Sequence, residues 1–153
     1  MVYGIGIDLV KEFADGIPPI SGDYHLLRQV FCNLISNARQ SINGRGRISI
    51  RIRPHSQGGS AWVRVEVEDT GKGIDPDNLH NIFNPFFTTK DSNPGLGLSI
   101  LHKIVTSHQG QIEVDNHPGK GVKFIITLPA WTLNEEKKAG QDCLGGKPIA
   151  PHL

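Results

Sequence analysis

Residues 26–42 read LLRQVFCNLISNARQSI, with apolar side chains at 26, 27, 30, 31, 34, 35, 38 and 42. That recurrence at three- and four-residue steps lays one apolar stripe along an α-helix, which must cover a partner layer. Asp23, just upstream, suits an N-cap because its carboxylate can accept the unpaired amides of the first turn. Gly44 and Gly46 end the pattern. Two asparagines, Asn33 and Asn37, interrupt the helix four residues apart. At about 100° per residue they lie about 40° from each other, with Gln40 near the same direction. The centre of the apolar stripe is about 100° or more away, so the amides flank the core-facing side. Asn is a mediocre helix former whose amide needs partners. From the helix alone two readings stay open: a hydrogen-bonded pair tying the helix to a loop, or two carbonyl oxygens offered to a ligand.

Working outward, a short strand pattern at residues 5–10 precedes the loop GIPPISGD. Ile48, Ile50 and Ile52 alternate, SQGGS at 56–60 turns, and Trp62, Val63, Val65 and Val67 continue. This is the signature of a β-hairpin. The basic stretch RGRISIRIR at 45–53 puts its arginines on the wet face of that strand. EDTGKGIDPDN is loop, and DPDNLHNIF gives one short helix. TTKDSNPG at 88–95 is a polar loop, and residues 96–107 form a second amphipathic helix with Leu98, Leu101, Ile104 and Val105 on its apolar side. QIEVDNHPGKGVKFIITLP at 111–129 gives two strands around a His-Pro-Gly-Lys-Gly turn. From residue 131 periodicity is lost. The expected organisation is one domain over 1–130 and a disordered tail or linker over 131–153. The expected class is α+β: a two-layer sandwich with a mixed, mostly antiparallel sheet covered on one face by helices.

A chain of 153 residues can bury a real core, and 37% hydrophobic with 20% charged residues fits neither a disordered nor a membrane protein. No apolar run approaches the roughly 18 residues that span a bilayer, and the start lacks the features of a signal peptide. A net charge of +1 argues against a dedicated nucleic-acid binder. Cys32 and Cys143 do not look like a disulfide pair, which points to a reduced, cytoplasmic setting. Seven histidines occur without CxxC or HxxxH spacing, and a protein zinc site is not expected.

Two glycine-rich stretches carry chemical interest. In VEVEDTGKGI (65–74) a strand ends at Asp69, and Gly71 and Gly73 follow. Glycines permit sharp turning and close approach of a flat ligand, while a strand-end carboxylate can accept from an exocyclic amino group. An ordinary Asp-Gly turn explains the same residues. In NPGLGLSI (93–100), Gly95 and Gly97 lead into a helix whose free amides suit a phosphate. Neither a GxGxxG fingerprint nor a GxxxxGK[ST] loop is present.

Taken in order, Asn-x3-Asn on a helix, DTGKGI, IFNPFFTTK, GLGLSI and HQGQIEVDNHPGKGVKFIITLP resemble the ATP-binding catalytic domain of two-component sensor histidine kinases. The wider superfamily includes gyrase B, heat-shock chaperone and mismatch-repair ATPases. The resemblance covers about residues 5–130. It implies ATP and Mg²⁺ as ligands, with Asn37 coordinating the metal and Asn33 a second ligand or phosphate contact. Gln40, beside them, is expected in the ATP site as well. Asp69 would read the adenine amino group, with Gly71, Gly73 and Ile74 forming the wall and floor of the base pocket. Phe83, Phe86 and Phe87 resemble the segment hinging an ATP lid between residues 88 and 95. Thr88 and Lys90 lie in that lid, and Lys90 is either a phosphate contact or a solvated loop residue. Gly95, Leu96, Gly97 and Leu98 would present backbone amides to the phosphates.

Hydrolytic members carry a Glu where Asn33 stands, and Asn cannot serve as the base that activates water, which favours a kinase. Val122 stands where the family often has Thr, and Pro94 replaces a common Thr before GLGL. No HE or HD pair marks a phosphoacceptor histidine, so the catalytic residues proper are expected elsewhere. The implied partner is a histidine-bearing helical hairpin of the same kinase, with a response regulator downstream. The isolated domain is expected to be a monomer and the full-length kinase a homodimer. The competing expectations are a nucleotide-binding regulatory module without catalysis and a superfamily ATPase clamp.

Overall fold

The computed structural model describes residues 6–84, 97–132 and 148–149. The expected two-layer α+β arrangement is present. Strands β1 (Ile7–Phe13), β3 (Gly46–Gln57), β4 (Ser60–Asp69), β5 (Gln111–His117) and β6 (Gly121–Pro129) form one sheet in the order β1-β3-β4-β6-β5. β1 runs parallel to β3 and the other pairs are antiparallel. Helices α1 (Tyr24–Ser41) and α2 (Gly97–Ser107) pack together over one face. Ile20–Ser21 (β2) pairs antiparallel with Pro148–Ile149 (β7), the latter inside the stretch read as tail.

The alternating isoleucines and valines set the register. Ile48 faces Asp69, Ile50 faces Val67 and Ile52 faces Val65. Ile48, Ile50, Val67, Phe124 and Ile126 meet Leu27, Val30, Leu34 and Ala38 of α1 and Leu101, Ile104 and Val105 of α2 in one core. Leu26, placed in the apolar stripe from sequence, is 40% exposed. The buried row of α1 begins one residue later, and a single step turns the side chain by about 100°. β1 starts later and runs further than its sequence pattern, because parallel pairing with β3 continues from Ile7 opposite Gly46 to Phe13 opposite Ile52. The short helix after the glycine loop is a 3₁₀ turn over Pro76–Asn81.

One end of the helical layer, where α1 begins and α2 ends, is fastened. Asp23 accepts the Leu26 amide at 3.1 Å, the expected N-cap. Its own backbone N–H donates to Nε2 of His108 at 3.0 Å, while Nδ1 of that ring lies 2.7 Å from the Ile104 carbonyl. The carbonyl can only accept, so Nδ1 holds the proton and the neutral ring bridges the start of α1 to the end of α2.

The face of the sheet turned away from the helices bears arginines, as expected, and Arg51, Arg53 and Arg64 there are paired. Arg51 lies 3.0 Å from Glu12 and 2.7 Å from Glu68. Glu66, only 3% exposed, receives Arg53 at 3.1 Å and Arg64 at 3.0 Å. Burial works to raise the Glu66 pKa, but the Arg64 hydrogen bond and the charges of Arg53, Arg64 and Lys123 outweigh it and hold it below the usual range. Glu66 therefore stabilises the fold above its unfolded-state pKa, and that contribution is lost as pH falls through the native value. Glu66→Gln is expected to cost about 1–2 kcal/mol near pH 7, because its guanidinium partners lose their counter-charge. Denaturant melts should show the gap from wild type closing in acid. Among the described residues no helix is long and apolar enough to cross a membrane.

Candidate functional site

Asp69 ends β4 on the helix-covered side of the sheet. In register it faces Val122 of β6, and Val122 faces Asn116 of β5, so the three form one row across three strands. Asp69 is 5% exposed. Its Oδ1 accepts the Gly71 amide at 2.8 Å and the Ser41 hydroxyl at 3.4 Å. Burial, with a smaller push from the Glu68 charge, raises the Asp69 pKa against the opposing pull of Gly71, Ser41 and the Val122 backbone. A buried carboxylate held by neutral donors keeps acceptor capacity for an N–H donor on a ligand.

The loop after Asp69 is tied down almost residue by residue. Thr70 exchanges bonds with Arg47, its amide donating to the Arg47 carbonyl at 3.1 Å and its hydroxyl oxygen accepting the Arg47 amide at 2.9 Å. Lys72 donates to the Ser41 carbonyl at 3.2 Å and accepts from Gly119 at 2.7 Å. Ile74 donates to Asn116 Oδ1 at 2.8 Å, and Asn116 Nδ2 donates back to the Ile74 carbonyl at 2.7 Å. Gly71, Gly73 and Ile74 thus sit in a backbone shelf fixed between the end of α1 and the β5–β6 turn.

The contact between Ser41 and Asp69 joins the asparagine helix to this shelf. Asn37 lies about 6 Å and Asn33 about 12 Å back along the axis from Ser41, given a rise of about 1.5 Å per residue. Both are half-buried, and the helix is packed beside α2. Gln40 is exposed and donates to the Ser36 hydroxyl at 3.3 Å. Gly97 and Leu98 open α2, and Phe83 packs on His102 with ring centroids 5.3 Å apart. Phe86, Phe87, Thr88, Lys90, Pro94, Gly95 and Leu96, with the lid expected at 88–95, lie outside the described residues.

Three contributors escaped the sequence reading: Ser41, Asn116 and the Val122 backbone. Asn116 left a trace. Asn is depleted in strands, so its place inside QIEVDNH marks a side chain with work other than pairing.

The chain belongs to the family of histidine kinase-, DNA gyrase B- and HSP90-like ATPases, whose model matches residues 22–132. Within that family its similarity runs to sensor kinases. It is 42% identical over 123 residues to the signal transduction histidine-protein kinase AtoS of Escherichia coli K12, covering 80% of this chain and 20% of AtoS. It is 36% identical to sporulation kinase E of Bacillus subtilis, covering 86% of this chain and 18% of that kinase. Among solved structures, the catalytic domain of histidine kinase ThkA superposes with a TM-score of 0.70 at 34% identity, covering 81% and 79% of the two chains. Full-length ShkA in complex with AMPPNP gives 0.71 at 30% identity, covering 83% of this chain and 26% of ShkA. The chain thus spans about a fifth of the length of the curated relatives it matches.

Proposed function

We propose that this chain is the ATP-binding catalytic domain of a two-component sensor histidine kinase, passing the γ-phosphoryl group of ATP to a histidine on a separate helical hairpin. The observation that carries this reading is the buried Asp69 heading a pinned glycine loop beside the helix of Asn33 and Asn37. Asp69 accepts the adenine amino group. Gly71, Gly73 and Ile74 line the base, and Gly97 and Leu98 turn the start of α2 toward the phosphates. Lys90 and the backbone of Gly95 and Leu96 are the further phosphate contacts in this reading, with Phe86 at the hinge of the lid and Thr88 in it. The domain works by positioning, which converts transfer between two molecules into a step within one assembly.

The donor set fits Mg²⁺ held jointly with phosphate. Among the described residues no group of three or more His, Cys, Asp or Glu side chains could hold a metal alone. Asn37 and Asn33 offer neutral carbonyl oxygens, and the triphosphate supplies the negative charge such a hard cation requires. Bound there, the metal neutralises charge on the transferring group. Asn37→Asp adds a carboxylate facing the phosphates. Calorimetry with a non-hydrolysable ATP analogue should show about tenfold weaker binding without Mg²⁺ and a much smaller loss with it. Equal losses in both conditions would remove Asn37 from the metal.

Asn33 also separates kinase from ATPase clamp, because an amide cannot take the proton of an attacking water. Radiolabelled ATP and a separately expressed cognate hairpin test this. Acid-labile label on the hairpin supports the kinase, whereas rapid phosphate release by this chain alone supports the clamp. The remaining parts of the reading are a cytoplasmic domain, monomeric when isolated, in a homodimeric kinase that serves a response regulator.

A further inference from the structure

Asn116 reaches the glycine loop from a strand 42 residues further along the chain. Its carboxamide acts as a substitute peptide group. Oδ1 accepts the Ile74 N–H at 2.8 Å and Nδ2 donates to the Ile74 carbonyl at 2.7 Å, the two-way exchange a neighbouring strand would supply. Both backbone polar groups of Ile74 are thereby occupied. The loop has little slack at this point. A Cβ on Gly73 would lie 2.8 Å from the His117 carbonyl and 3.2 Å from Asn116 Oδ1. Because Asn116, Val122 and Asp69 share one row of the sheet, the residue that clamps the end of the loop is in fixed register with the carboxylate at its beginning.

We infer that Asn116 is a positioning residue that sets base specificity, by occupying the Ile74 N–H and C=O so that the purine edge is read by Asp69. This rests on the adenine reading of the site. A 6-amino purine gives Asp69 a donor, whereas a 6-oxo purine sets one acceptor against another. Freed from Asn116, the Ile74 N–H becomes a donor that a 6-oxo group can use, and the loop can shift to deliver it. The clamp therefore acts against the wrong base more than for the right one.

The test compares ATP, its 6-oxo counterpart ITP and tripolyphosphate, all with Mg²⁺, by calorimetry on the whole chain. Amide hydrogen exchange at Ile74 is followed in the nucleotide-free protein. Wild type prefers ATP. In Asn116→Ala the ATP-to-ITP preference should fall about tenfold, the scale of two lost hydrogen bonds, with tripolyphosphate affinity unchanged and Ile74 exchange accelerated. Asn116→Asp keeps an acceptor for the Ile74 N–H, so it should retain amide protection and most of the preference. If Asn116→Ala does not fold, Asn116→Ser, too short to bridge both groups, is judged by the same ratio. An unchanged ratio, or an equal loss for all three ligands, overturns the inference. If instead wild type shows no ATP preference, or Asp69→Asn binds ATP normally, the nucleotide reading itself has failed.

Discussion

Asp69→Asn is expected to weaken ATP binding by about a hundredfold or more while leaving the nucleotide-free fold close to wild type in stability. The substitution is nearly isosteric. Asn can still offer an oxygen to the Gly71 amide and the Ser41 hydroxyl, the two partners of Oδ1. The other carboxylate oxygen becomes an NH₂, which sets donor against donor where adenine presents its amino group. Losing a charge-assisted bond and leaving two buried donors unpaired costs about 3 kcal/mol, which is the hundredfold.

The stability half of the prediction follows from burial. Burial raises the native pKa of Asp69 above its ordinary value. The stability linked to such a group is complete below the unfolded-state pKa and is lost as pH rises through the native one. At neutral pH wild type therefore carries a desolvation cost that the amide avoids, offset by the Val122 backbone bond that an NH₂ cannot accept. The same shift gives nucleotide binding a pH dependence of the opposite sense. The ionised carboxylate is the acceptor, so ATP affinity should decline as pH falls through the native Asp69 pKa. Asp69→Asn should bind weakly at every pH. Scanning calorimetry without ligand and titrations across acid pH check both halves. A variant that melts earlier than wild type yet binds ATP normally would contradict them.

The second large effect is expected at Gly121, which opens β6 with φ +128°. A Cβ there would run into the backbone carbonyl of Asp69, and that backbone has no flexible end to give way. Positive φ adds strain of its own for any L side chain. Gly121→Ala should cost about 3 kcal/mol or more and lower Tm by about 10 °C. The damage falls on the strand pair that carries Asp69, so ATP affinity should also drop at temperatures where the variant is still folded. Normal ATP affinity in a variant destabilised by that much would show that Asp69 is not the base-reading group, or that β6 does not set its position.

The sheet was largely legible in the sequence because burial imposes a period of two. Ile48, Ile50 and Ile52 against Val63, Val65 and Val67 specify a hairpin whose register can slip only by turning its core face outward. The N-cap at Asp23 was legible because capping is a local matter of a carboxylate three residues before an amide. Asp69 could be picked out at the end of an alternating strand before two glycines. What periodicity could not reveal depends on non-local closure. The clamp between Asn116 and Ile74 exists because β5 and β4 both flank β6, and nothing within either segment states that order. The bond from Ser41 to Asp69 likewise follows from how α1 lies on the sheet. Glu66 sits on the charged face by its alternation, yet neighbouring arginines bury it, so parity alone misjudges its exposure.

The most direct measurement is a crystal structure of the chain with a non-hydrolysable ATP analogue and Mg²⁺. The purine amino group should lie within hydrogen-bond distance of Asp69 and the triphosphate between Asn37 and the start of α2, with the metal touching the Asn37 carbonyl. Nucleotide density away from Asp69, or a purine turned so that its amino group faces elsewhere, would contradict it.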